Sequence, residues 1–78
     1  MDATLMDFII PYNSAVVGKA ILDLKLPEQS VITLISRDNQ YIVPTGTTRL
    51  RGGDVLLIIL DKASIEEVAR ILSAPRPQ

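Results

Sequence analysis

The sequence contains no cysteine and no histidine. That removes disulfide staples, thiolate nucleophiles, cysteine or histidine zinc clusters and imidazole general bases together. Neither charge sign is in excess, with Lys plus Arg at 8, Asp plus Glu at 9 and a net charge of -1. No global field therefore draws the chain onto a polyanion or an anionic lipid surface, and nucleic acid is not an expected partner. Long apolar runs are missing too. The longest, Val55 to Leu60, falls far short of the roughly 20 residues a helix needs to cross a bilayer. The N-terminus has no basic region followed by an apolar core and cleavage site, so no membrane insertion is expected of these residues.

What is present is small and apolar. The chain has 78 residues, 47% of them hydrophobic, and a mean hydropathy of +0.29. A domain near this size buries only about 60% of the surface its unfolded chain exposes. That is more apolar surface than a lone small domain comfortably hides, which implies a buried partner surface.

Along the chain, "LMDFII" (5–10) reads as a strand stopped by Pro11, which has no amide hydrogen to give a ladder. Asn13 or Ser14 can cap a helix in which Val17, Ala20, Ile21 and Leu24 repeat at i, i+3, i+4 and i+7, with Gly18 inside it and Pro27 ending the segment. "SVITLIS" (30–36) is β-branched and apolar on both faces, with Val31 and Ile35 on one and Ile32 and Leu34 on the other. "RDNQ" then supplies a turn, "YIV" (41–43) a returning strand, Thr48 to Leu50 a short strand candidate and "VLLIIL" (55–60) a last strand apolar on both faces. Ser64 with Glu67 makes a capping-box signature ahead of a second helix carrying Ile65, Val68, Ala69 and Leu72 on one face. That helix should end near Ala74, leaving 75–78 as a frayed, Pro-rich tail.

These elements predict a single small α+β domain in the order β-α-β-β-(β)-β-α, a mostly antiparallel sheet covered by helices on one face. The side chains on the other face then need a cover, and a two-fold copy is the simplest one. A homodimer is expected.

The stretch "VPTGTTRLRGGDVLLII" (43–59) resembles a phosphate loop only superficially. No lysine follows Gly52 or Gly53, GxGxxG is absent, and the glycines lead into a strand where both motifs require a helix N-terminus. The glycines read as turns. No pair of carboxylates is placed to share a site: Glu66 and Glu67 are sequence neighbours that point apart, and Asp7, Asp38, Asp54 and Asp61 border strands or turns. No catalytic residue, metal site or enzyme activity is expected. Arg37, Arg49 and Arg51 near Tyr41 can act as an anion or base reader, or simply as solvated turn residues.

In order and spacing, "DFIIPYNSAVVGKAILDLKLPEQS" and "VITLISRDNQYIVPTGTTRLRGGDVLLII" resemble the RCK C-terminal (TrkA-C) domain. That family comprises the regulatory module of potassium channels, potassium uptake systems and cation/proton antiporters. The resemblance, which places the domain at 1–74, implies no cofactor and a cytoplasmic, ligand-sensing domain tethered to an inner-membrane transporter, or to its regulatory subunit, whose membrane part lies outside these residues. It implies pairing of two domains and, as in some members, cyclic di-AMP in the cleft between them. The positions that match are Val31 and Ile32 for the bases, Arg37 for a phosphate oxygen, and Val43 with Pro44. The sequence departs from some binders at Val43, where they place an amide. The alternatives are a structural dimerisation module that binds nothing small, and a regulator attached to a transcription factor.

Overall fold

A computed structural model describes residues 2–77. Four strands, β1 (Ala3–Ile9), β2 (Val31–Arg37), β3 (Gln40–Ile42) and β4 (Val55–Asp61), form one antiparallel sheet in the order β1-β4-β2-β3. β4, the most apolar strand, sits inside the sheet, where its Leu56, Ile58 and Leu60 are fully buried. The helix α1 (Ile65–Ser73) follows directly and sets Val68 and Leu72 against them, as its i, i+3, i+4, i+7 pattern requires.

The segment between β1 and β2 departs from the expected helix. Residues 13–24 form successive tight turns, with Val17 N bonding Ser14 O and Lys19 N bonding Val16 O, and then one 3-10 turn at Ile21–Asp23. The reason is a competing partner for the backbone. Gly18 N bonds Leu50 O, Leu50 N bonds Lys19 O, Ile21 N bonds Thr48 O and Leu22 N bonds Gly46 O, so residues 18–22 pair with 46–50. Gly18, at φ +88°, takes the left-handed conformation that lets the chain turn into this pairing. The apolar repeat marks burial in part: Ala20 and Leu24 lie inside, Val17 and Ile21 are half-buried, and Val16, outside the repeat, is buried beside them. Thr48 to Leu50 contributes a single bridge, Arg49 to Ala20, rather than a strand.

Two further differences have local causes. A bulge between Ile32 and Leu34 inserts Thr33, whose hydroxyl donates to Leu57 O at 2.9 Å. The bulge resets the alternation, so Val31 and Leu34 share the open face while Ile32 and Ile35 turn to the core, against the pairing expected from strict period two. At the last helix, Ser64 makes no side-chain cap. β4 ends in Asp61, whose carboxylate takes the Ala63 amide at 3.1 Å and caps a 3-10 turn (Lys62–Ser64), so Ser64 already has helical φ and ψ.

The chain after the helix is pinned as far as it is described. Ala15 N bonds Ala74 O and Arg76 N bonds Asn13 O, each within 2.9 Å. Ser14, fully buried, donates its hydroxyl to Leu72 O. Pro75 and Arg76 therefore close over the 13–15 turn, where the sequence suggests fraying; Gln78 lies outside the described residues.

The open sheet face is apolar. Leu5, Ile59 and Val31 stand in register across β1, β4 and β2, and all three are exposed. Ile9 and Tyr41 extend the exposed surface along the same face.

Candidate ligand cleft and its surroundings

Three of the five expected ligand residues converge. Val31 and Ile32 at the start of β2 and Pro44 after β3 line one cleft of about 250 Å3, completed by Ile21, Ser30, Thr45 and Gly46. The geometry has a simple origin: the 18–22/46–50 pairing carries Ile21 and Gly46 to the same edge at which β2 begins. Val43 stands just beyond this edge and is 79% exposed. Ile21, Val31, Ile32 and Pro44 give the open cleft an apolar side on which a flat ring can lie, beside the polar Ser30 and Thr45.

Ser30 and Thr45 are the polar members that sequence reasoning missed. Ser30 Oγ is shielded from water and makes no hydrogen bond among the described residues. Thr45 shares a hydroxyl network with Thr47 and Thr48. The sequence gives no signal for Ser30 beyond its place before a strand. Thr45 could have been found in the "TGTT" turn.

Arg37 lies elsewhere. It closes β2 at the opposite end from Val31, six residues away and so about 20 Å at strand rise. Its guanidinium is already engaged, with Nε donating to Asp54 Oδ1 and Nη2 to Asp54 Oδ2, each at 2.8 Å, and Nη2 also to Arg49 O at 2.9 Å. Nη1 makes no hydrogen bond among these. Asp54 is fully buried and also accepts the Arg51 amide at 2.9 Å, the turn-amide role its position before a strand suggests.

The electrostatics of the pair follow from this packing. Burial alone pushes the Asp54 carboxyl upward, but the Arg37 and Arg51 hydrogen bonds and charges outweigh it and hold it below the usual carboxylate range. Arg37 is raised, first through its hydrogen bond to Asp54. Beside the pair, a small hollow of about 90 Å3 is bounded by Tyr12, Asp38 and the Gly52–Gly53 turn. Tyr12 lies flat on that turn: a Cβ on Gly52 would fall 2.5 Å from its ring and 2.8 Å from its Cα. The two glycines thus serve a turn and a close approach.

No group of three or more His, Cys, Asp or Glu among the described residues is placed to hold a metal ion. No helix there is long and apolar enough to cross a membrane.

Comparison with known proteins identifies the family and the fold. The family model described as TrkA-C domain matches residues 5–73. The Trk system potassium uptake protein TrkA of Mycobacterium tuberculosis is 34% identical over 71 residues, 91% of this chain and 32% of that protein. A TrkA homolog of Archaeoglobus fulgidus is 32% identical over 91% of this chain and 16% of its own length. The chain thus spans less than a third of either relative. Among solved structures, an RCK domain with cda superposes with a TM-score of 0.76 at 25% identity, covering 90% of this chain and 99% of that one. The RCK_C domain dimer of S. agalactiae BusR in complex with c-di-AMP has the same TM-score at 21% identity, over 87% and 93% of the two chains. BusR in complex with its busA-promoter DNA also matches, with a TM-score of 0.76 at 20% identity, over 90% of this chain and 37% of that one.

Proposed function

Because the chain belongs to the TrkA-C domain family, we propose that it is the regulatory, ligand-sensing module of a potassium or cation/proton transport protein, acting as a pair of copies. The observation that carries the reading is the convergence of Val31, Ile32 and Pro44 on one aliphatic cleft at an exposed sheet edge. At about 250 Å3 the cleft is smaller than the roughly 300–1,000 Å3 of pockets that enclose a whole drug-sized ligand. One cleft fits one ring. A symmetric dinucleotide such as cyclic di-AMP, with two equal bases, is the ligand that two clefts in paired copies would hold. A phosphate contact from Arg37 would then use Nη1 and would have to come from a copy whose β2 end lies near the phosphates, since Arg37 is far from the cleft of its own chain.

Regulation on this reading is a population shift. A ligand that prefers one arrangement of the paired domains moves the transporter's equilibrium by its difference in affinity between the arrangements and by no more. The transport machinery and its partners belong to the parent protein. A purely structural pairing module is the second reading, favoured by the apolar open face.

Isothermal titration with cyclic di-AMP tests the first reading. Binding at one nucleotide per two chains, lost in Thr45→Trp, supports it. Thr45 is exposed and lies outside the four strands, so the substitution obstructs the cleft while leaving the core and the open sheet face intact. No heat at high protein concentration would leave the structural module as the better account.

A further inference from the structure

Asp7 carries a charge in the middle of the open sheet face; Asp61, the next acid on that face, sits at the end of β4 opposite Ala3. Leu5 and Ile9 flank Asp7 on its own strand, exposed at 54% and 69%, and Leu57 faces it across the ladder. It lines a shallow groove of about 360 Å3 on that face with Leu34, Ser36, Tyr41, Val55 and Leu57. Leu57 and Val55 come from β4, Leu34 and Ser36 from β2 and Tyr41 from β3, so all four strands of the sheet contribute to the groove. Among these neighbours Tyr41 and Ser36 supply hydroxyls and the rest are aliphatic. Among the described residues no lysine or arginine lines the groove.

We propose that Asp7 makes the pairing of two copies through this face proton-linked. The inference rests on the reading that a second copy covers the open face, and it concerns how strongly that cover is held. A two-fold contact places the same patch of both copies in one interface, so two Asp7 carboxylates enter it together. Covering them removes water, and their like charges raise the cost of keeping both ionised. The Ser36 and Tyr41 hydroxyls can donate hydrogen bonds but bring no positive charge to offset this. An acid raised on pairing binds more protons in the pair than in the free copy. Association is then strongest at low pH and weakens as pH rises through the raised value. In the free copy the same carboxylate keeps an otherwise apolar face solvated.

Sedimentation of the purified chain at constant ionic strength between pH 5.5 and 8 tests this, with Asp7→Asn and Leu5→Asp alongside. The expected result is a dimer dissociation constant that weakens by roughly tenfold across the range in the wild type. Asp7→Asn should be flat across the range and tighter than wild type at pH 8. An Asp7→Asn variant that keeps the wild-type slope overturns the proposal while leaving the pairing itself intact. A wild type that stays monomeric throughout, or a Leu5→Asp variant that pairs as the wild type does, instead overturns the underlying reading that this face pairs.

Discussion

Arg37 and Asp54 grip each other through two parallel hydrogen bonds of 2.8 Å, joining the end of β2 to the start of β4. The same guanidinium reaches Arg49 O and the same carboxylate takes the Arg51 amide. One ion pair therefore fixes the β2–β3 hairpin against the "RLRGGD" loop, and any ligand role for Arg37 is exercised from a residue that is also a strut. Breaking a buried pair by removing one partner leaves the other charge uncompensated, at a cost of about 3 kcal/mol. Asp54→Ala and Arg37→Ala should each lose about that much in urea unfolding, and the double variant should lose less than their sum. Equal additivity would show that the pair contributes nothing as a pair.

The pair also sets an acid limit. Asp54 is held below the usual carboxylate range because the Arg37 and Arg51 interactions outweigh the upward push of burial. A depressed acid contributes stability that is fully present above its unfolded value, about 3.9, and is lost as pH falls through the folded value. Stability should hold from neutral pH to about pH 4.5 on this account and decline below it, with Asp54→Asn declining less steeply. Arg37, raised first by its hydrogen bond to Asp54, stays charged throughout this window. Urea midpoints at stepped pH values check the difference between the two proteins.

The strands, the final helix and the apolar open face were legible because side-chain alternation and helical spacing report burial directly. The helix expected over residues 13–24 was not, since Gly18 and the partner strand-like segment 46–50 claim the same amides that a helix would use. Local spacing identified which residues are buried but not what their backbone bonds to. The Thr33 bulge escaped for a related reason: a one-residue insertion in a ladder has no signature in an aliphatic run. Of the proposed site residues, Val31, Ile32 and Pro44 line one cleft, whereas Arg37 is distant from them because a seven-residue strand carries its two ends apart.

Tyr12 and Gly52 give a steric test. A methyl group on Gly52 meets not only the tyrosine ring at 2.5 Å but also the tyrosine main chain, with Cα at 2.8 Å, and backbone cannot swing aside. Gly52→Ala should therefore cost about 2 kcal/mol in thermal or urea unfolding. Tyr12→Ala in the same chain should recover only part of it, because the clash with the main chain at position 12 remains. Complete recovery would mean that the ring alone sets the restriction.

The loop that forms the rim of the cleft holds two residues in the left-handed region, Lys25 at φ +55° and Gln29 at φ +65°. Neither is a glycine, asparagine or aspartate, the residues that tolerate this conformation best. A side chain held there costs about 1–2 kcal/mol per residue, while glycine adopts it freely at the expense of a more flexible unfolded chain. The difference favours glycine, so Gln29→Gly should stabilise the domain by about 0.5 kcal/mol. Gln29→Val, with a β-branched side chain, should destabilise it by more than about 1 kcal/mol. Urea unfolding of the three proteins reads both signs. Because Gln29 directly precedes Ser30 in the cleft wall, titration of the same variants with cyclic di-AMP also separates fold from function. If the rim conformation serves the ligand, Gln29→Gly will be more stable yet bind less tightly, whereas unchanged binding would assign the strain to the fold alone.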